Sequence, residues 1–364
     1  MPRVAVVTPH FTQHDAVCND VLGMYEALRK RGSDARIYAA DWTVGETKLK
    51  VWPVSRIKEF LKNPRDVLIY HHSMGWETGC DLLAELSCRR IIKYHNVTPP
   101  EFFVGWGEEY ENVCRAGRSQ TNFIANAQCD LYLADSKHNL SELISAGAPE
   151  SRSVVVHPFH RIEHLFHLGP DFEIIDRYRD GKASMLMVGS LFPNKGHAFL
   201  LEVFATYYHD YNKNSRLFIA GKEGESLRKY SNYLHEQAEH LQLGADVVFT
   251  GQVTDDELKA YYLMADLFVT ASEHEGFCVP LVESMALKLP IVALGSAAIP
   301  DTVGDVGLIW GEKDPYLFAE SIDTLINDES IRSRMGLMGR RRYDNLFTND
   351  KTEEQFLNAL GEVL

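Results

Sequence analysis

Short apolar runs alternate with longer amphipathic stretches along the whole chain. In the first half the runs are "RVAVVTP", "DARIYAA", "DVLIYHHS", "RRIIKYHN", "LYLADS" and "SVVVHPF". Runs of about four to eight residues, rich in Val and Ile and bounded by turn or charged residues, predict strands buried on both faces. Helical patterns lie between them, such as "NDVLGMYEALRKRG", which closes on Gly32 as a C-cap. The second half repeats the scheme. Its strands are expected at "SMLMVGS", "SRLFIAG", "DVVFTG", "DLFVTAS" and "PIVALGS". Its helices are expected at "GHAFLLEVFATYYHDY", "ESLRKYSNYLHEQAEHLQ" and "TDDELKAYYLMA", the last opening with Thr254 and Glu257 at capping-box spacing. Alternation of this kind in both halves predicts an α/β protein with two parallel sheets covered by helices.

The polar stretch "HLGPDFEIIDRYRDGKAS", residues 167–184, carries Gly and Pro and precedes a fresh strand, so it marks the boundary. The expected division is a first domain over 1–168 and a second over 169–345. The tail reads as two helices, with 346–364 expected to cross back to the first domain. A length of 364 residues suits two domains of about 150–200 residues each.

Charge and composition narrow the function. The net charge of −14 speaks against non-specific nucleic-acid binding, which needs a basic surface. Residues 1–170 hold 19 Lys+Arg and 20 Asp+Glu; subtracting from totals of 37 and 51 leaves 18 and 31 for the rest. Balances of −1 and −13 suit two domains with different ligands. No run approaches the roughly 18–20 apolar residues of a membrane span. "MPRVAVVTPHF" is too short in its apolar part for a signal peptide. The chain therefore reads as cytoplasmic, with the inner face of the membrane as a place for peripheral contact. Cys18, Cys80, Cys88, Cys114, Cys129 and Cys278 form no C-x-x-C pair, so reduced thiols are expected rather than a metal cluster.

The candidate chemistry centres on "ASEHEGFCVPLVESMALKLPIVA". A strand leads into a loop holding Glu275, Gly276 and Phe277, and Pro280 suits the first turn of the helix that follows. In open α/β sheets, ligands bind outside the carboxyl ends of strands. A helix N-terminus there offers free N–H groups and a positive dipole end to an anion, and Gly276 lets the backbone come close. Glu275 and Glu283 then flank an anion site: Glu275 accepts from hydroxyls at one end of a diphosphate ligand, Glu283 from a ribose diol at the other. The plainer alternative is that Glu283 only favours the helix dipole and Glu275 is solvated. In "MLMVGSLFPNKGHAFLLEVF" a strand ends at Val188–Gly189 and Lys195 stands at the mouth of the next helix, well placed for a phosphate.

"VGSLFPNKG", "LFIAG", "VVFTGQVTDDEL" and "EGFCVPLVESMALKLPIVA", in this order and spacing, resemble the nucleotide-sugar-binding half of the family 4 retaining glycosyltransferases (glycosyl transferases group 1). The resemblance is dense over about 184–330 and weaker but ordered over 1–165. It implies the GT-B fold, two Rossmann-like doubly wound domains with a cleft between them. It also implies a retaining hexosyltransferase that uses a UDP- or GDP-sugar. The acceptor would be a glycan, a glycolipid or a protein glycan, as in polysaccharide biosynthesis. No cofactor is expected, the nucleotide sugar being a co-substrate.

In the implied roles Lys195 holds the donor diphosphate, Glu275 the sugar and Glu283 the ribose. The backbone at Gly189 and Ser190 and at Gly276 and Phe277 lines the donor, and Val253 and Leu258 flank the base. His95, ending "IIKYHN", faces the reacting sugar, so His95, Lys195 and Glu275 are the expected catalytic set. His71, His72 and His157 read as structural.

Two positions depart from the family pattern. Arginine usually follows "VG" and here the residue is Ser190, so one charge–phosphate contact is missing. The first loop usually carries a Gly-Gly pair that here falls on Asp15-Ala16, which puts its contact with the diphosphate in doubt. The chain has no Asp-x-Asp, which favours a metal-independent site with no metal ligands. For the acceptor, the stretch "HNVTPPEFFVGWGEEYENVCRAGRSQ" offers aromatic faces with Arg115 and Arg118, and Asp15 is the third candidate. The alternative function is a non-catalytic sugar-nucleotide-binding partner subunit of another glycosyltransferase.

Overall fold

The computed structural model describes residues 2–12, 15–43, 49–361 and 363. The chain divides into two compact units. The first comprises the described residues of Met1–Pro100, Glu111–Arg161 and Phe347–Leu364; the second comprises Glu101–Tyr110 and Ile162–Leu346.

In the first unit the strands are β1 (Arg3–Thr12), β2 (Asp34–Thr43), β3 (Val51–Pro53), β4 (Val67–His72), β5 (Arg89–Tyr94), β6 (Leu131–Ala134) and β7 (Ser153–Val155). They form one sheet in the order β3-β2-β1-β4-β5-β6-β7, with every pair parallel. Val4 to Val7 of β1 are fully buried, as a central parallel strand covered on both faces requires. The helix Ala16–Lys30 turns Val21, Met24 and Leu28 into the core against Val4, Val6 and Ile37. It stops where expected: Gly32 has φ +84°, and the Ser33 amide donates back to the Leu28 carbonyl at 3.0 Å. The C-terminal helix Asn349–Leu360 places Phe356 and Leu360 in this same core.

In the second unit the strands are β8 (Ala183–Val188), β9 (Ser215–Ala220), β10 (Val247–Gly251), β11 (Leu267–Thr270), β12 (Ile291–Leu294) and β13 (Leu308–Trp310). Their order is β10-β9-β8-β11-β12-β13, again all parallel. The helix Asp255–Met264 opens with the full capping box between Thr254 and Glu257. The aromatic stretch read as an acceptor wall is divided between the units. Phe103 packs on Tyr110 and Phe192, and Trp106 on Tyr230 and Tyr233 at 5.2 Å between ring centres, all within the second unit.

Strand order reverses at one point in each sheet, between β1 and β4 and between β8 and β11. The loops leaving those adjacent strands run to opposite faces and open a crevice at the carboxyl edge, where ligands of doubly wound sheets bind. Among the described residues no helix is long and apolar enough to cross a membrane.

Candidate active site

The second unit's switch point gathers the donor candidates. After β8 the chain makes a short turn over Pro193–Lys195, then enters the helix His197–Asp210 through Gly196, whose φ is +67°. A Cβ on Gly196 would lie 2.0 Å from the Ala271 carbonyl oxygen, so only glycine allows the loops after β8 and β11 to approach this closely. The Glu273 amide donates to the Asn194 carbonyl at 2.8 Å, and Asn194 Nδ2 to the His274 carbonyl at 3.0 Å. This stitching sets Lys195 Nζ 2.7 Å from Glu275 Oε1. Burial works against the Lys195 ammonium, but the Glu275 carboxylate beside it outweighs that and raises its pKa.

The helix Val279–Ala286 begins at Cys278, which has φ +69° and caps no amide with its side chain; Pro280 lies in the first turn. Pro280 has no N–H and the Leu281 amide donates to the Cys278 carbonyl at 3.1 Å, so it is the Val279 amide and the positive end of the helix that are left for an anion. Gly276 is half-buried, and the Phe277 ring is buried with its carbonyl taken by Thr302 Oγ1 at 2.8 Å. Glu283 lies further along the helix, half-buried, and accepts from the Tyr262 hydroxyl at 2.6 Å. Burial raises its pKa to about 7, although the Tyr262 hydroxyl pulls it down. Val253 and Leu258 are half-buried just beyond the end of β10 and in the helix that follows.

Gly189 and Ser190 lie against the end of β9. The Gly189 amide donates to Ala220 and the Leu191 amide to Lys222, and a Cβ on Gly221 would lie 1.9 Å from the Gly189 carbonyl. Ser190 brings no charge. Nor does the nearby His197, a residue the sequence did not single out: it is fully buried, and burial followed by the Lys195 charge pushes its pKa down to about 3.

The first unit holds a second cluster, where the sequence singled out His95 alone. His95 Nδ1 bonds Asp135 Oδ2 at 2.9 Å, and its Nε2 meets His71 Nδ1 at 2.8 Å. Both ring nitrogens of His95 are thus held by other side chains. Lys93, fully buried, sits 2.6 Å from Asp135 Oδ1 and also donates to the Val156 carbonyl. Asp20 accepts the Phe159 amide at 2.8 Å through Oδ1. Burial raises the pKa of Asp20; it also opposes the charge on Asp135, but His95 and Lys93 hold that group low. Burial, then the charges of His95 and Lys93, push His71 well below the ordinary imidazole range. His72 Nε2 packs against Thr121 Oγ1 at 2.9 Å, and His157 Nδ1 against the Asp135 carbonyl at 3.1 Å.

The acceptor candidates are spread over two helices and each is partnered. Asp15 caps Ala16–Lys30, accepting from the amides of Val17 and Cys18. Its carboxylate thus occupies that helix N-terminus, in contrast to the uncapped start at Val279. Arg115 pairs with Glu111 at 2.5 Å on an exposed face, and Arg118 with Glu142 at 2.9 Å.

Two doubly wound parallel sheets, each with its polar groups at the switch point, define the GT-B architecture of glycosyltransferases. Residues 173–342 match the family model of glycosyl transferases group 1. The capsular polysaccharide biosynthesis glycosyltransferase CapM of Staphylococcus aureus is 31% identical over 179 residues, 49% of this chain and 45% of that one. A D-inositol 3-phosphate glycosyltransferase of Corynebacterium glutamicum is 30% identical over 152 residues, 41% of this chain and 36% of that one. The matched stretch thus spans less than half the length of these curated relatives. Among solved structures, Anabaena HepE in complex with UDP and glucose superposes with a TM-score of 0.79 at 17% identity, covering 99% of each chain. Sucrose-phosphate synthase of Thermosynechococcus elongatus gives 0.78 at 16% identity, covering 100% of this chain and 99% of that one.

Proposed function

We propose that the chain is a retaining glycosyltransferase that moves a hexose from a UDP- or GDP-sugar to a glycan, glycolipid or protein-glycan acceptor. The observation that carries this reading is the second switch point, with its half-buried ammonium, uncapped helix N-terminus and two carboxylates in one segment. In this reading the donor diphosphate takes Lys195 from Glu275 and settles at the positive end of the helix Val279–Ala286, on the Val279 amide. Glu275, released, accepts from sugar hydroxyls. Glu283, as the carboxylate, accepts from the ribose diol. The match to the group 1 family model and the UDP bound by HepE support a nucleotide donor.

Charge grows on the leaving diphosphate as the bond to the anomeric carbon breaks. A fixed ammonium and the positive end of a helix stabilise it there without reorganising. The acceptor oxygen bonds the anomeric carbon on the face the diphosphate leaves, and its proton passes to the departing phosphate oxygen. No cofactor takes part, and the donor charge is met by Lys195 and the helix rather than by a metal. The protein works at the cytoplasmic side, with peripheral contact to the membrane where the acceptor is lipid-linked.

Calorimetric titration with UDP, GDP and ADP, without added metal, tests the proposal. One nucleotide should bind, and Glu283→Ala should weaken it. Failure of all three to bind overturns the donor site. Ser190, where a phosphate-binding charge is missing, would then favour the non-catalytic partner subunit.

A further inference from the structure

We propose that Lys222 is the second cation of the donor site and pairs with the diphosphate over Ser190. This deepens the proposed transferase reaction and rests on it. Lys222 stands just past the end of β9 and is exposed, and its ammonium has no partner among the described residues.

Register carries the argument. β8 and β9 run parallel with Val188 opposite Ala220. The Gly189 amide donates to the Ala220 carbonyl at 2.9 Å, and two residues on the Leu191 amide donates to the Lys222 carbonyl at 3.0 Å. The ladder thus continues past both strands at the same offset and sets Lys222 opposite Ser190. Register partners on neighbouring strands lie about 4.8 Å apart and project to the same face. Gly221 keeps the two segments close: a Cβ there would lie 2.9 Å from the Ser190 amide nitrogen. Ser190 is short, and the flexible four-carbon stem of a lysine spans one strand spacing. Lys195 reaches the same place from its own loop, with its Cδ 3.9 Å from where a Cβ on Gly189 would stand. Both lysines therefore converge on Gly189 and Ser190.

Charge balance gives the second argument. The diphosphate of a nucleotide sugar is doubly charged and gains further charge as the sugar departs. Lys195 brings a single positive charge, offset in the resting site by Glu275 at 2.7 Å. A helix N-terminus adds about half a charge. The sum falls short of the donor's charge, and the shortfall widens in the transition state. A free ammonium one strand away meets it.

The other basic groups at this edge do not. His197 is fully buried, and burial followed by the Lys195 charge holds its pKa near about 3, so it stays neutral. Lys313 is held by Glu273 at 2.6 Å, and drawing it away would bare a carboxylate two residues from Glu275. Glu223, next to Lys222, is engaged by His235 at 3.4 Å and leaves the Lys222 ammonium unopposed.

The full chain is titrated by calorimetry with UDP, GDP and ADP, as wild type, as Lys222→Gln, as Lys213→Gln and as the double variant Ser190→Arg with Lys222→Gln. Lys213 is exposed just before the opposite end of β9, so replacing it removes the same charge at a distance. Affinity for the nucleotide that the wild type binds should fall about tenfold or more in K222Q, the loss of one charge-assisted bond, with Tm unchanged. K213Q should bind as the wild type does, and Ser190→Arg should restore affinity in the K222Q background. K222Q binding as tightly as wild type, or K222Q and K213Q weakened alike, overturns the inference while the donor site stands. Failure of Ser190→Arg to recover affinity overturns the placement of Lys222 opposite Ser190. If the wild type binds none of the nucleotides, the donor-site reading itself fails and this inference falls with it.

Discussion

Replacing Tyr262 with Phe removes one atom from beside Glu283 and should move the pH dependence of nucleotide binding upward by about one unit. The Tyr262 hydroxyl donates to Glu283 at 2.6 Å and is what holds the carboxyl down against burial, leaving it at about 7. A hydrogen bond to a charged group is worth about 1.5–3 kcal/mol and a neutral one about 0.5–1.5. The difference, about 1–1.5 kcal/mol, corresponds to about one pKa unit. Glu283 should therefore move from about 7 to about 8. A diol donates to the ionised form, so affinity follows the ionised fraction, which is lost as pH falls through the pKa. At pH 7 that fraction drops from about one half to about one tenth, a fivefold loss of affinity; near pH 9.5 the two proteins should converge. Calorimetry with the nucleotide preferred by the wild-type protein, repeated along a pH series, measures this directly. A loss that persists undiminished at alkaline pH, or no loss at neutral pH, refutes the role given to the Glu283 carboxylate.

Lys195→Ala should lower donor turnover about 10–150-fold, the equivalent of one charge–phosphate contact, and Tm should fall as well because Glu275 is left buried without its ion-pair partner. Gly196→Ala should destabilise by at least about 1–2 kcal/mol for its left-handed backbone alone, with more from the 2.0 Å approach to Ala271; an unchanged urea midpoint would contradict this. Asp15→Ala should cost about 0.5–2 kcal/mol of stability through the lost cap, and Asp15→Gly only a few tenths, with nucleotide affinity unaltered in both. A nucleotide affinity that changes with Asp15 would return that loop to the donor site.

Most of the strands were readable because parallel strands announce themselves as apolar runs, though their order within each sheet was not. β3 and β13 were missed. Each is three residues at a sheet edge, and "VWP" and "LIW" are too short to carry a period. The donor segment was legible because its pieces are local: a strand, a tight loop and an uncapped helix start are consecutive in the chain. The cluster around His95 was not, since Asp20, His71, Lys93 and Asp135 come from four separate segments. A signal did exist. His71, His95 and Asp135 all stand at or just beyond the carboxyl ends of predicted strands, and Lys93 interrupts an apolar run. The docking of Trp106 on Tyr230 and Tyr233 had no local signature, because aromatic contact across more than 120 positions leaves no trace in spacing.

The Lys195–Glu275 pair also works as a built-in competitor. With no donor bound, the ammonium is satisfied by a carboxylate on the same scaffold, and a tethered group acts at an effective concentration that free ions in solution rarely match. Inorganic phosphate or chloride must displace it and offers nothing in return. In the proposed reaction a nucleotide sugar would displace it and then supply hydroxyls for the freed Glu275. The pair thus sets an entry threshold that favours the whole donor over its anionic fragments, and it implies that salt should weaken donor binding less than two exposed phosphate charges would suggest.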